Sequence, residues 1–281
     1  MPADVLLIGS MGDIGGGVAS NLRRHDLSVE TVPFPQNTFR DEPGYRRALL
    51  KAVDEFQPEF IFPIGHPLAL ARAKDILPEG VSAVVESAEK IALLDSKVDS
   101  SALAAGIGIP QPEFYESADD IPPGVRVIFK RDRSFGGSGV YRPRTPEAVR
   151  RLMEHEKGGR FLIEELIAGE DYSVDALRWH GTFTAGCYKS ISNRGQGPAT
   201  ERKAVQCPEI VAYAKKILNA VDYNGICGMD FRISSDGQAF FLECNPRFTG
   251  GIALQIGSGL ELPWLLYQAA KTGLDANAHF V

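Results

Sequence analysis

The stretch "GMDFRISSDGQAFFLECNPR" sets Asp230 and Glu243 on either side of Asp236 and Gly237. Asp-Gly between alternating apolar residues is the signal of a hairpin turn that needs positive φ. A two-residue turn pairs Ser235 with Gln238, and counting outward puts Asp230 directly opposite Glu243. Strand alternation adds Asn245 to that face and leaves Met229, Phe231, Ile233, Phe240, Leu242 and Cys244 on an apolar face. Cross-strand Cβ atoms lie about 5 Å apart, where two carboxylates repel by roughly 3 kcal/mol at an effective dielectric near 20. Either one acid keeps its proton or a cation lies between them. Two carboxylates and an amide oxygen are hard ligands that suit Mg2+ or Mn2+, with room left for water and phosphate. The alternative is a longer turn that breaks the pairing and sends one acid to solvent.

Basic residues that could meet phosphate lie further upstream. Lys130 ends the apolar strand "VRVIFK", and Gly136, Gly137 and Gly139 follow it in "SFGGSG". Such a loop can bring backbone N–H groups against phosphate oxygens with the lysine as a point charge. It is not the P-loop pattern GxxxxGK[ST], and a plain hairpin loop accounts for it equally. Lys97, in "LLDSKVDSSAL", reads on its own as a solvated helix lysine. "FLIEELIAGEDYSV" carries Glu164, Glu165, Glu170 and Asp171 within eight residues, as a solvated strand end also would. Arg247, after Asn245 and Pro246, either holds an anion or pairs with an acid.

The opening "LLIGSMGDIGGGVASNL" invites a dinucleotide, with Glu30 near the end of the second strand where a ribose-binding acid belongs. Its spacing, Gly9-x-x-Gly12-x-x-Gly15, is not GxGxxG, and the later half holds no constellation for hydride transfer. A helix N-terminus behind those glycines favours an anion, so Gly12, Asp13 and Ile14 are candidates for the substrate side.

Elements that must position these residues are legible from periodicity. Residues 1–90 alternate strand and helix signals: "DVLLIG", a helix over 14–25, "SVETV", "GYRRALLKAVDEF", "FIFPIG", a helix over 67–77, and "VSAVV". That rhythm predicts a doubly wound parallel sheet. A helix from Ser87 to Ala105 stops at "GIGIPQP". Then come two strands around the glycine loop, a helix capped by Thr145 with Pro146 at its first position, and the strand "RFLIEELI". A hairpin turns at His180 and Gly181, and a flexible polar loop spans 192–203 with Arg194, Arg202 and Lys203. The amphipathic helix "CPEIVAYAKKILNAV", the Asp230 hairpin and a closing helix "LPWLLYQAAKTG" complete the chain.

The 281 residues carry a net charge of −6, which argues against a nucleic-acid or anionic-membrane partner. There is no run of 18 apolar residues. The N-terminus has no basic leader. Cys187, Cys207, Cys227 and Cys244 show no metal-ligand spacing and read as reduced thiols. A cytoplasmic location is the expectation.

In this order the motifs resemble the ATP-grasp superfamily of carboxylate–amine ligases, in its carbamoyl-phosphate-synthetase-like and D-alanine–D-alanine-ligase-like branches. The resemblance implies a Rossmann-like α/β domain over 1–88 and a two-part ATP-grasp domain over 89–281. The lid spans about 112–165 and the metal-binding half about 166–281, with the nucleotide held between two antiparallel sheets. "DSKVDSSALAAGIGIPQP" is similar to the segment whose lysine reaches the nucleotide phosphates, which implies that role for Lys97. "IFKRDRSFGGSGV" resembles the lid strand, which implies Lys130 on the α/β-phosphates and Gly136, Gly137 and Ser138 closing over them. Glu164, Glu165 and Leu166 would line the adenine, mostly through backbone. Asp171 would hold the ribose, with Glu170 as its competitor. "MDFRI…FFLECNPR" resembles the metal signature, implying Asp230, Glu243 and Asn245 as Mg2+ ligands and Arg247 facing phosphate or substrate.

The implied cofactors are ATP and Mg2+, or Mn2+. The implied partners are a small carboxylate and an amine, with a homodimer as a frequent state of such proteins. The expectation is a single grasp module without a glutaminase domain or the biotin-carboxylase C-terminal domain, which leaves the acceptor undefined. The chemistry implied is acyl activation: the carboxylate takes the γ-phosphate, and the acyl phosphate then meets the amine. Alternatives are an ATP-grasp phosphotransferase or a nucleotide-binding protein without ligase activity, and further off an NAD(P)-dependent oxidoreductase.

Overall fold

The computed structural model describes residues 2–9, 12–34, 39, 41–134, 137–193 and 199–272. The N-terminal part is built on β1 (Val5–Ile8), β2 (Val29–Val32), β3 (Phe60–Pro63) and β4 (Ser82–Ala83), in the order β2-β1-β3-β4. All pairs are parallel. Val5 and Leu7 face one apolar cluster, and Leu6 and Ile8 face another. Both faces are therefore covered, which is why these strands read as continuous apolar runs. α1 (Gly12–Arg23) covers one face, while α2 (Glu42–Phe56) and α3 (Pro67–Ala73) cover the other.

The opening glycines have a packing role at Gly9. Its φ is +115°, and a Cβ there would lie 2.8 Å from the Gly65 backbone nitrogen. The turns after β1 and β3 meet at this point, and only glycine permits the approach.

The expected helix over Ser87–Ala105 is two helices, α4 (Ala88–Asp95) and α5 (Lys97–Gly106). Ser87 caps the first by accepting from Lys90 N–H. Ser96 has extended backbone and caps the second by accepting from Asp99 N–H. A serine that satisfies an orphan N–H favours a cap over a helix interior, and this one puts Lys97 at the first position of α5.

Next comes a four-stranded antiparallel sheet, order β5-β8-β6-β7: β5 (Phe114–Tyr115), β6 (Val127–Arg131), β7 (Val140–Tyr141) and β8 (Phe161–Glu165). α6 (Pro146–His155) closes its core, capped by Thr145, which accepts from Ala148 N–H, with Pro146 following as expected. A five-stranded antiparallel sheet, order β11-β10-β9-β12-β13, dominates the rest. Its members are β9 (Gly169–Trp179), β10 (Thr182–Asn193), β11 (Ala199–Val205), β12 (Gly225–Ser234) and β13 (Ala239–Asn245). α7 (Pro208–Ala220) joins α4 and α5 over one face. α8 (Ile252–Gly257) and α9 (Leu262–Thr272) tie the other end of the sheet to α1. The expected flexible loop over 192–203 is corrected in part: residues 199–203 are strand, paired with β10 through Ser190 and Arg202. Arg194 lies outside the described residues.

The β12–β13 hairpin departs from the expected turn. Ser234 N–H donates to the Gln238 carbonyl at 2.9 Å, so the loop holds three residues, with Gly237 at φ 88°. This is the other favoured hairpin geometry for a glycine at the left-handed position. The one-residue shift it introduces is undone by a bulge at Leu242: Phe231 pairs with Phe241, but Asp230 pairs with Glu243. The core-facing residues of β13 are consequently Ala239, Phe241 and Cys244, and not Phe240 and Leu242.

Candidate functional site

Asp230 and Glu243 face each other across β12 and β13, and Asp230 faces Ser173 on β9. Ser173 Oγ donates to Asp230 Oδ1 at 2.5 Å. Burial first, and then the Glu243 charge, push the Asp230 acid up to about 7. Burial alone would raise Glu243 as well, but the Lys97 and Lys130 ammoniums together hold it below the ordinary glutamate range. One carboxylate is thus ionised and the other is poised to lose its proton when a cation arrives. Asn245, two residues along, accepts from Arg247 Nη2 through Oδ1 at 2.9 Å. Among the described residues no group of three or more His, Cys, Asp or Glu side chains could hold a metal by itself. Two carboxylates and an amide fit an ion that takes its remaining ligands from water and phosphate.

Both expected lysines turn inward. Lys97 is only 6% exposed, with Nζ 3.1 Å from Glu243 Oε2 and 3.2 Å from the Ser134 carbonyl. It is no solvated helix lysine. Lys130, also 6% exposed, has Nζ 2.5 Å from Glu164 Oε1. Glu164 is raised by burial, with Lys130 opposing. Glu164, expected along the adenine, here neutralises a lysine. Glu165 and Leu166 donate their backbone N–H groups to the Glu113 and Arg126 carbonyls. Those two N–H groups are spent within the sheet, which leaves carbonyls and side chains to face a base.

Asp171 lies on the same face of β9 as Ser173, opposite Arg232, which donates to it at 2.5 Å. Glu170 lies on the other face and pairs with Lys189. Gly137 and Ser138 are exposed between β6 and β7; Gly136 lies outside the described residues. Gly12 and Asp13 are exposed at the start of α1, and Ile14 packs in the apolar cluster that includes Ile252.

Sequence reasoning missed a run of polar side chains on this face. Ser173 and Asp175 follow Asp171 at alternate positions of β9. Tyr188 faces Ser173 from β10, and Thr249 reaches over Gly228. The signal was present in "EDYSVD", whose acids and serine alternate, but only the pairing of β9 with β12 reveals which face they share.

An N-terminal parallel sheet, a small antiparallel sheet carrying a buried lysine, and a larger antiparallel sheet carrying opposed carboxylates define a class: the ATP-grasp fold. The chain has this fold along its length, and residues 158–280 match the family described as "ATP-grasp in the biosynthetic pathway with Ter operon". It is 24% identical over 280 residues to formate-dependent phosphoribosylglycinamide formyltransferase of Rhodococcus jostii strain RHA1, covering 86% of this chain and 68% of that protein. An L-amino acid ligase from Bacillus licheniformis superposes with a TM-score of 0.71 at 17% identity, covering 99% of this chain and 78% of that one. A pyruvate carboxylase from Rhizobium etli gives a TM-score of 0.75 at 18% identity; there the match covers 99% of this chain but only 29% of the carboxylase.

Proposed function

We propose that this chain is an ATP- and Mg2+-dependent ligase that activates a small carboxylate as an acyl phosphate and joins it to an amine. The observation that carries this is the convergence of Lys97, Asp230 and Glu243 from three elements, with the buried Lys130 charge felt at Glu243. The formyltransferase is named for formate and the ligase for amino acids, both carboxylates, which supports the substrate class.

Asp230, Glu243 and Asn245 would hold Mg2+, which when bound neutralises phosphate charge. Lys130 would exchange Glu164 for nucleotide phosphate, and Lys97 would exchange Glu243. Asp171, on the site face, would take the ribose in preference to Glu170. Arg247, fixed by Asn245, would stabilise the phosphate or the developing oxyanion. Catalysis of this kind is positioning and electrostatics, with no protein nucleophile. The strands carrying Lys130, together with Gly137 and Ser138, would close over the phosphates and keep water from the acyl phosphate. The divisions at residues 88, 112 and 165 follow from the same proposal.

The test is ADP release from MgATP, screened against amino acids and small carboxylates singly and in pairs, with hydroxylamine present in a parallel series. A hydroxamate marks the acyl phosphate. ADP release without hydroxamate or amide would establish phosphoryl transfer to another acceptor instead.

A further inference from the structure

Asp175 is a carboxylate in an unusual position. It is 2% exposed, and its two cross-strand neighbours, Gly186 and Gly228, are both glycines. A Cβ at Gly186 would displace the Gln255 amide, whose Oε1 would lie 1.9 Å away, and one at Gly228 would meet Thr249 Cγ2 at 2.1 Å. The missing side chains let Gln255 and Thr249 descend onto the acid. Thr249 Oγ1 donates to Asp175 Oδ1 at 2.6 Å. Asp175 Oδ2 is buried without a hydrogen-bond partner among the described residues. The nearby donors are committed elsewhere. Gln255 Nε2 donates to the Gly186 carbonyl at 3.1 Å, and Arg202 Nη1 donates to the Gly250 carbonyl at 2.9 Å. A buried carboxylate oxygen without a well-formed hydrogen bond, its neighbouring donors shared with backbone carbonyls, leaves the ionised form under-stabilised, so the group gains by accepting a proton.

Asp175 is also wired to the site. Tyr188 Oη lies 3.3 Å from Thr249 Oγ1. Tyr188 also stands directly opposite Ser173 on β9, and Ser173 donates to Asp230. A row of three hydroxyls, Ser173, Tyr188 and Thr249, therefore links the opposed carboxylates to a dead-end acid. Neither Ser173 nor Tyr188 is needed to hold nucleotide in the proposal above.

We infer that Asp175 is the terminal proton acceptor for the attacking amine, receiving the proton through Thr249. This rests on the ligase proposal. The amine lone pair forms the C–N bond to the acyl carbon, the C–O bond to phosphate breaks, and phosphate leaves with that electron pair. The proton shed by the amine nitrogen passes to Thr249 Oγ1 as the threonine's own proton moves to Asp175 Oδ1. A neutral carboxylic acid results. Burial already raises this acid to about 6, opposed by the Thr249 hydroxyl, the Arg202 charge, Gln255 and Tyr188. These, with the Asp230 carboxylate beyond the hydroxyl row, are the groups that face it.

The test compares wild type, Asp175→Asn and Thr249→Val, using the carboxylate and amine that support ADP release and, separately, hydroxylamine. Both nucleophiles shed an N–H proton on acylation, but hydroxylamine is the weaker base and its adduct gives that proton up to water more readily, so an ordinary amine depends on the acceptor more. Loss of a general base costs about a hundredfold or more. Asp175→Asn is expected to lower amide formation to that extent at pH 7, with the deficit shrinking as pH rises. The hydroxamate-to-amide ratio is expected to increase at least about tenfold. Thr249→Val should move the ratio the same way and decides the matter if Asp175→Asn does not fold. An unchanged ratio with an unchanged pH profile, or parallel loss of both products, overturns the assignment. A wild type that yields neither hydroxamate nor amide from any carboxylate overturns the ligase proposal, and this inference with it.

Discussion

Lys130 Nζ and Glu164 Oε1 lie 2.5 Å apart between neighbouring strands of the small sheet, with Glu164 only 2% exposed. A buried pair loses most when one partner is removed, because the other charge is then stranded; the cost is about 3 kcal/mol or more. Lys130→Ala is therefore expected to destabilise the fold by about that amount at pH 7.5, as well as weaken MgATP binding. Burial already raises Glu164, and without the lysine it rises further. Protonation then relieves the stranded charge, so the deficit should shrink at pH 5. Urea midpoints at the two pH values check this. A deficit that is larger at pH 5 would contradict a stranded carboxylate.

Asp230 gives the metal-free protein a pH dependence of opposite sign to a salt-bridged acid. The unfolded chain releases this proton near 3.8, while the folded chain holds it up to about 7. Across that window the folded state binds more protons, so stability falls as pH rises. About three units correspond to something on the order of 4 kcal/mol. Thermal unfolding in EDTA should show Tm declining from pH 5 to pH 7.5, and Asp230→Asn should flatten the decline. Adding Mg2+ with ADP should flatten it in wild type and leave the variant unmoved. The same variant, and Glu243→Gln, should abolish Mg2+-dependent ADP release without loss of fold.

Asp132 joins the two lysine-bearing elements. Its Oδ1 accepts from Ser96 Oγ at 2.8 Å and from Val98 N–H at 3.1 Å, at the N-terminus of α5 where Lys97 stands. Asp132 itself follows directly on the strand that carries Lys130. Asp132→Ala is expected to cost about 1–2 kcal/mol through the lost cap and to raise the KM for ATP several-fold by loosening Lys97. Asp132→Asn, which still accepts, should recover most of both. Steady-state kinetics on the two variants check this; equal KM values in both would dissociate the cap from the lysine.

The parallel strands, the large helices and the opposition of Asp230 to Glu243 were legible because each follows from a local period. The break at Ser96 was not, since a serine within a helical pattern caps or continues depending on what its oxygen finds, here an N–H and Asp132. Glu164 reads as a solvated strand acid until the partner strand sets Lys130 against it. Asp175 and Tyr188 stay hidden for the same reason: their significance comes from which strands pair. The hairpin was right for an incomplete reason, because a three-residue loop and a bulge shift the register in opposite senses.

That compensation can be tested directly. Leu242 is the unpaired residue between the Asp230–Glu243 and Phe231–Phe241 pairs. A one-residue slip moves every side chain beyond it to the opposite face of the strand. Deleting Leu242 causes no such slip: Glu243 then follows Phe241 directly, so it stays opposite Asp230 while Ala239, Phe241 and Cys244 keep the core face. Mg2+-dependent nucleotide binding, measured by calorimetry, is therefore expected to stay within about threefold of wild type, with the far-ultraviolet circular dichroism of the variant close to wild type. Substituting Leu242→Ala instead keeps the extra residue and should retain binding within about threefold, since the side chain is half-buried and off the core face. Loss of binding in the folded deletion variant would mean that the bulge does more than bring Glu243 into register with Asp230.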